Sequence, residues 1–264
     1  MKPLFISLSI ALIGLSFIKQ KEFTPSGTVQ INDTLYADET EITNFNWREF
    51  EQWTLEFYGK NSKEYLAILP DTNVWIEKSS YNMPYVQYYY RHPAYKNYPV
   101  VGISYEQAKA YCIWRTVRVK SQLLQKKDFK NQGLEYRLPT KAEWELLAES
   151  SLNIFENKGF DDKGNPKLNC LMDVDSIIIK GKTNAINFNS DVTAPVKSYY
   201  KNRFGLYNMI GNVSEMIEDK GICKGGAWNN RIDQMRIGKE LTYTKPSATL
   251  GFRCVCIIKK NKMS

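Results

Sequence analysis

The side chains in this chain that could do chemistry are few, and their densest group lies late. At residues 204–216, FGLYNMIGNVSEM sets Asn208, Gly211, Asn212 and Glu215 among apolar neighbours. A backbone so built must turn tightly while oxygen atoms converge on one small volume, which is how a structural calcium loop is made. The same residues could close a metal-free loop through hydrogen bonds of Asn208 and Glu215. Two more glycine-rich stretches follow, CKGGAWNN at 223–230 and LGFRC at 250–254. Five cysteines supply thiols, and the odd count leaves at least one free or paired between chains. His92 is the only histidine, so there is no His-based triad and no His-rich zinc site. Two apparent motifs fall away. GKT at 181–183 ends like a phosphate loop, but Ser176 stands where the leading glycine is needed. DDKGN at 161–165 starts like a calcium loop, lacks the closing acidic residue, and reads as a solvated turn.

Positioning these groups requires regular elements, and the chain marks three helices. Residues 36–50 read as a strand entering a helix, with Thr43 or Asn44 as N-cap and Trp47, Phe50, Trp53 and Phe57 at helical spacing as core. Ser104 caps a second helix while Gln107 reaches back, and Ala108, Tyr111, Cys112, Val119 and Leu123 mark its buried face. Thr140 and Glu143 repeat that capping box ahead of Trp144, Leu147 and Ala148. Between 150 and 193, Asn, Gly and Asp predict long loops with a few short strands. Cys254 and Cys256 are read as facing opposite sides of a final strand. Tyr81, Tyr85, Tyr88, Tyr89, Tyr90, Tyr95 and Tyr98 offer the amphipathic area that protein interfaces use, and alternation along 85–90 would turn half of those rings into a sheet.

The length of 264 residues and a hydrophobic content of 43% fit one large globular domain with a sizeable core. The net charge of +8 is spread between residues 115–130 and Lys259, Lys260 and Lys262, without the aromatic interleaving that suits single strands. Solvated faces are therefore expected, and no nucleic acid partner. Residues 4–18, LFISLSIALIGLSFI, are apolar and uncharged, too short for a comfortable membrane span and about right for a signal h-region. The expected organisation is a signal peptide or N-terminal anchor at 1–20, a flexible linker at 21–33, one folded domain at 34–258, and a basic tail at 259–264. Export follows from such a leader, with membrane association if it stays attached.

The glycine-rich series together with EYRLPTKAEWELLA at 135–148 resembles the formylglycine-generating enzymes, or sulfatase-modifying factors, over residues 35–256. That resemblance implies an α+β fold of the C-type-lectin-like kind, with few regular elements and long loops. It also implies a disulfide between Cys112 and Cys254. Calcium would take side-chain oxygens from Asn208 and Glu215 and carbonyls from Gly211 and Val213, with Asn184 near the family's second calcium position. In those enzymes a cysteine pair after the Gly-Gly-Ser-Trp motif holds copper and oxidises a sulfatase cysteine with oxygen, because thiolates are soft ligands for Cu(I). Here the two positions are Asn230 and Met235, so no copper is expected and the chain is read as non-catalytic. The sulfoxide-forming branch needs three histidines around iron, which a chain with only His92 lacks.

LPDTNVW at 69–75, SYNMPYVQYYY at 80–90 and HPAYKNYPVVGISYEQAKAYCIWRT at 92–116 narrow the likeness to the K and J gliding-motility lipoproteins of the type IX secretion system. Those proteins reuse the fold without redox chemistry, on the periplasmic side of the outer membrane, in a ring with a partner protein. The expectation is an exported scaffold, periplasmic or outer-membrane-associated, with protein partners in an envelope assembly. Two alternatives stand beside it. One is an oxidoreductase of the same fold with Cys223 recruited as nucleophile or ligand. The other is a lectin-like module with Trp228 and Asn229 lining a groove.

Overall fold

The computed structural model describes residues 23–76, 82–124, 132–149, 155, 159–171 and 192–260. The apolar leader, Tyr81, Asn184, the GKT stretch and the end of the basic tail lie outside the described residues.

In chain order the helices are α1 (Asn44–Tyr58), α2 (Lys63–Ala67), α3 (Met83–Tyr88), α4 (Tyr105–Leu123) and α5 (Lys141–Glu149). The strands are β1 (Thr28–Gln30), β2 (Leu35–Asp38), β3 (Gln132–Arg137), β4 (Ser214–Met216), β5 (Ile222–Lys224), β6 (Leu241–Thr242), β7 (Leu250–Gly251) and β8 (Val255–Lys260). They form two four-stranded sheets, β1-β2-β8-β3 and β6-β5-β4-β7. The first is antiparallel, with Tyr36 and Tyr136 both opposite Cys256 on the central β8. In the second, β4 runs parallel to β7 and antiparallel to β5. Short strands, five α-helices among the described residues and long connections make this an α+β fold.

The three expected helices start where their caps are written. Thr43 accepts from the Asn46 amide and Asn46 answers with its side chain, while Ser104 and Gln107 make the same reciprocal pair ahead of α4. Thr140 and Glu143 do so ahead of α5. Between α1, α4 and the first sheet, Trp47 stacks on Tyr111 at 5.5 Å and meets Phe252 edge-on at 6.1 Å. A second cluster gathers Trp144 and Leu147 of α5 with Met209, Ile210 and Met235.

Four readings are corrected. Trp53 is half-buried and Phe57 is 68% exposed, because α1 runs a full turn past Thr54, the last residue it buries. The tyrosines at 85–90 do not alternate across a sheet; residues 83–88 are helical, started by Pro84 in the first turn, and Tyr89 and Tyr90 are buried just beyond. Cys254 and Cys256 share one cluster while Val255 joins the other, as residues two apart on an extended chain must. The stretch read as a linker contains β1, whose Val29 pairs with Ala37.

Candidate functional site

The 204–216 stretch turns as its residues predict. Asn208 and Asn212 both adopt left-handed backbone, with φ of 50° and 64°, a region that asparagine tolerates better than most residues. Gly211, at φ 85°, lies so close to Asn169 that an added Cβ would stand 2.6 Å from its carbonyl oxygen. The turn aims both asparagine side chains at one carboxylate, Glu41. Asn212 donates from Nδ2 to Glu41 Oε1 at 2.8 Å, and Asn208 donates to Oε2 at 3.3 Å and to the Val196 carbonyl at 3.1 Å. A carboxylate opposite fixes which end of each amide faces it. Asn212 Oδ1 accepts from the Ala194 amide at 2.7 Å and from Asn169 at 3.1 Å, tying the loop to its neighbours.

Glu215 ends the loop at the start of the second sheet, fully buried beside an equally buried Arg253. Arg253 donates from Nε and Nη2 at 2.6–2.9 Å, and Trp144 Nε1 adds a third donor at 2.8 Å. The guanidinium also binds the carbonyls of Asp38 at 3.0 Å and Tyr207 at 2.7 Å. Burial pushes the Glu41 carboxyl up to about 7; Arg253 opposes the shift and Glu215 adds to it. The residues brought together are thus Glu41, Asn208, Asn212, Glu215 and Arg253. As a calcium cage this set fits poorly. Both oxygens of Glu215 are engaged by N–H donors, a cation would sit against a guanidinium, and the asparagines present Nδ2 rather than oxygen to Glu41. Among the described residues no group of three or more His, Cys, Asp or Glu is placed to hold a metal ion.

At the two positions where the resemblance places copper ligands, the structure puts packing and a turn. Met235 is 1% exposed, and an added Cβ on Gly226 would lie 2.2 Å from its Cγ and 2.7 Å from its Sδ. Its side chain therefore presses on the glycine backbone. Asn230 closes the Ala227–Asn230 turn, accepting from the Ala227 amide at 2.8 Å through Oδ1. All five cysteines are buried thiols. Burial raises Cys223 to about 11, with a hydrogen bond to Ser214 opposing, and raises Cys170 and Cys256 to about 12. None of these three offers a thiolate near neutral pH. Cys112 and Cys254 face each other with sulfurs 3.5 Å apart, longer than the roughly 2.05 Å of a disulfide bond. Trp228 is half-buried, donates to the Ala248 carbonyl at 3.2 Å and stacks on Trp75 at 6.4 Å, while Asn229 is exposed.

Sequence reasoning missed Glu41 and Arg253. Arg253 was visible only as part of LGFRC, and Glu41 carries no local signal.

The profile of the sulfatase-modifying factor enzyme 1-like domain matches residues 10–258. The chain belongs to that family. The formylglycine-generating enzyme of Streptomyces coelicolor is 28% identical, the match taking in 88% of this chain and 80% of that protein. The inactive C-alpha-formylglycine-generating enzyme 2 of Bos taurus is 28% identical over 60% of this chain and 50% of its own. A serine/threonine-protein kinase, pkn1 of Chlamydia caviae, is 28% identical over 63% of this chain. The chain spans only 25% of that chlamydial protein. Among solved structures, CarF covers 88% of this chain and 96% of its own with a TM-score of 0.53 at 17% identity, a likeness of fold. Within the sulfatase-modifying factor family, then, this member has Asn230 and Met235 where the resemblance places copper ligands.

Proposed function

We propose that this sulfatase-modifying factor domain is a non-catalytic scaffold, exported and built into an envelope assembly in or near a gliding or type IX secretion complex. The observation that carries the first part is Met235, buried against Gly226 at the second copper position, in a chain whose thiols are all buried. A domain so filled can bind and space partners but puts no thiolate pair at the positions of the copper ligands. The likeness of residues 69–116 to the K and J gliding-motility lipoproteins supports the envelope assembly, and the apolar run at 4–18 supports export. Pull-down of the tagged full chain from its native envelope under mild crosslinking tests the reading, with copper and calcium assayed on the same sample. Secretion-ring components recovered without copper are the expected result. Stoichiometric copper without such components would overturn it in favour of an oxidoreductase.

A further inference from the structure

A trough of about 1080 Å³ is lined by residues of α1 and α4, with Asp38 of β2 and residues 195–198 also in its lining. None of residues 225–235 lines it, so it is separate from the position where the family's chemistry would sit. Its ionic groups are largely settled among themselves. Arg115 pairs with Asp38 at 2.7 Å, and Glu39 takes Lys197 at 2.6 Å and Lys201 at 2.7 Å. That leaves Arg48 and Arg118 against Glu49 and Glu56, with the Glu41 carboxyl raised to about 7 by burial, so the lining carries little net charge. A polyanion or a polycation would find no net attraction here.

The apolar part of the lining is aromatic and continues outward. Phe45 at the rim is 48% exposed, and Trp53 stacks flat on Phe57, 5.2 Å away at 9°, which in turn meets Tyr58 at 4.8 Å. Phe57 and Tyr58 are 68% and 46% exposed, so an aromatic face leads out of the trough along the last turn of α1.

We infer that this trough binds a neutral oligosaccharide. A sugar ring carries apolar C–H faces that complement the negative face of an aromatic ring, and hydroxyls that both give and accept hydrogen bonds. The exposed Gln122 amide and the Gln52 carbonyl, whose amide nitrogen donates to Glu56 at 2.7 Å, supply planar groups for those hydroxyls. A peptide is served less well, because the two long walls are helices whose backbone groups are already paired, leaving no strand edge to extend.

The test uses the purified full chain, titrated with N-acetylchitohexaose, maltohexaose and cellohexaose and followed by tryptophan fluorescence and calorimetry. Saturable binding of at least one hexasaccharide is expected, weakened about tenfold by Trp53→Ala and also by Phe57→Ala. Phe57 is a surface residue, so its variant keeps the fold intact as checked by circular dichroism. No binding by a natively folded protein overturns the assignment. Binding that both variants leave unchanged does the same. Binding of a mixed-charge peptide, lost in Trp53→Ala, with no response to any of the sugars, would give the trough to a peptide instead. None of these outcomes depends on which envelope partner is recovered.

Discussion

Glu215 and Arg253 stand together without solvent, each neutralising the other's buried charge. Arg253→Met leaves a buried carboxylate facing only Trp144, and is expected to cost about 3–5 kcal/mol of stability, read by urea unfolding. Restoring an apolar pair with Glu215→Leu in the same chain should recover much of that loss; a double variant as unstable as the single one would show that the pair is not acting as a unit. Glu41 titrates in a measurable range. Its folded value of about 7 lies above the ordinary carboxyl value, so its stabilising contribution is complete below about pH 4.5 and is lost as pH rises through 7. Unfolding stability should therefore fall between pH 5 and pH 8, and Glu41→Gln should flatten that slope. Glu39 and Glu143, whose carboxyls are held below their ordinary value, act in the opposite sense and only at lower pH. Local spacing made Asn208, Gly211, Asn212 and Glu215 legible in the sequence. Glu41 was not, because its hydrogen bond to Asn212 spans 171 positions and no short motif records such a pairing.

Helix starts were the most legible feature at the level of elements, because a capping box is closed by residues three apart. Ser104 with Gln107 and Thr140 with Glu143 close as their letters suggest, and Thr43, one of two cap candidates, closes a box with Asn46 that was not read. Helix ends and short elements were less legible. Phe57 keeps the helical spacing of a core residue, yet the core ends before it does. β1 escaped notice because three residues after a Pro-Gly turn carry no periodic signal, and their pairing depends on β2. The loop from β5 to Met235 carries the element-scale prediction. Gly226 has φ 71° and its missing Cβ is the space that Met235 fills, so Gly226→Ala should destabilise by more than about 1 kcal/mol. Thermal unfolding reads this directly, and an unchanged midpoint would show that Met235 does not press on the loop.

For the molecule as a whole, two sheets and five described helices hold the glycine-rich loops in place around a buried ion pair. The fold was legible because the three signatures at 204–216, 223–230 and 250–254 lie in one order, and the family profile covers residues 10–258. Function was less legible, since one scaffold hosts many uses and only the site tells them apart. Here a thioether and an amide stand at the two positions where the resemblance places thiols. The most direct measurement is to load the purified chain with Cu(I) and incubate it in oxygen with a cysteine-bearing sulfatase peptide, reading bound copper and peptide mass. No stoichiometric copper and an unaltered cysteine are expected. Copper bound one to one, with the cysteine converted to an aldehyde, would contradict the non-catalytic reading.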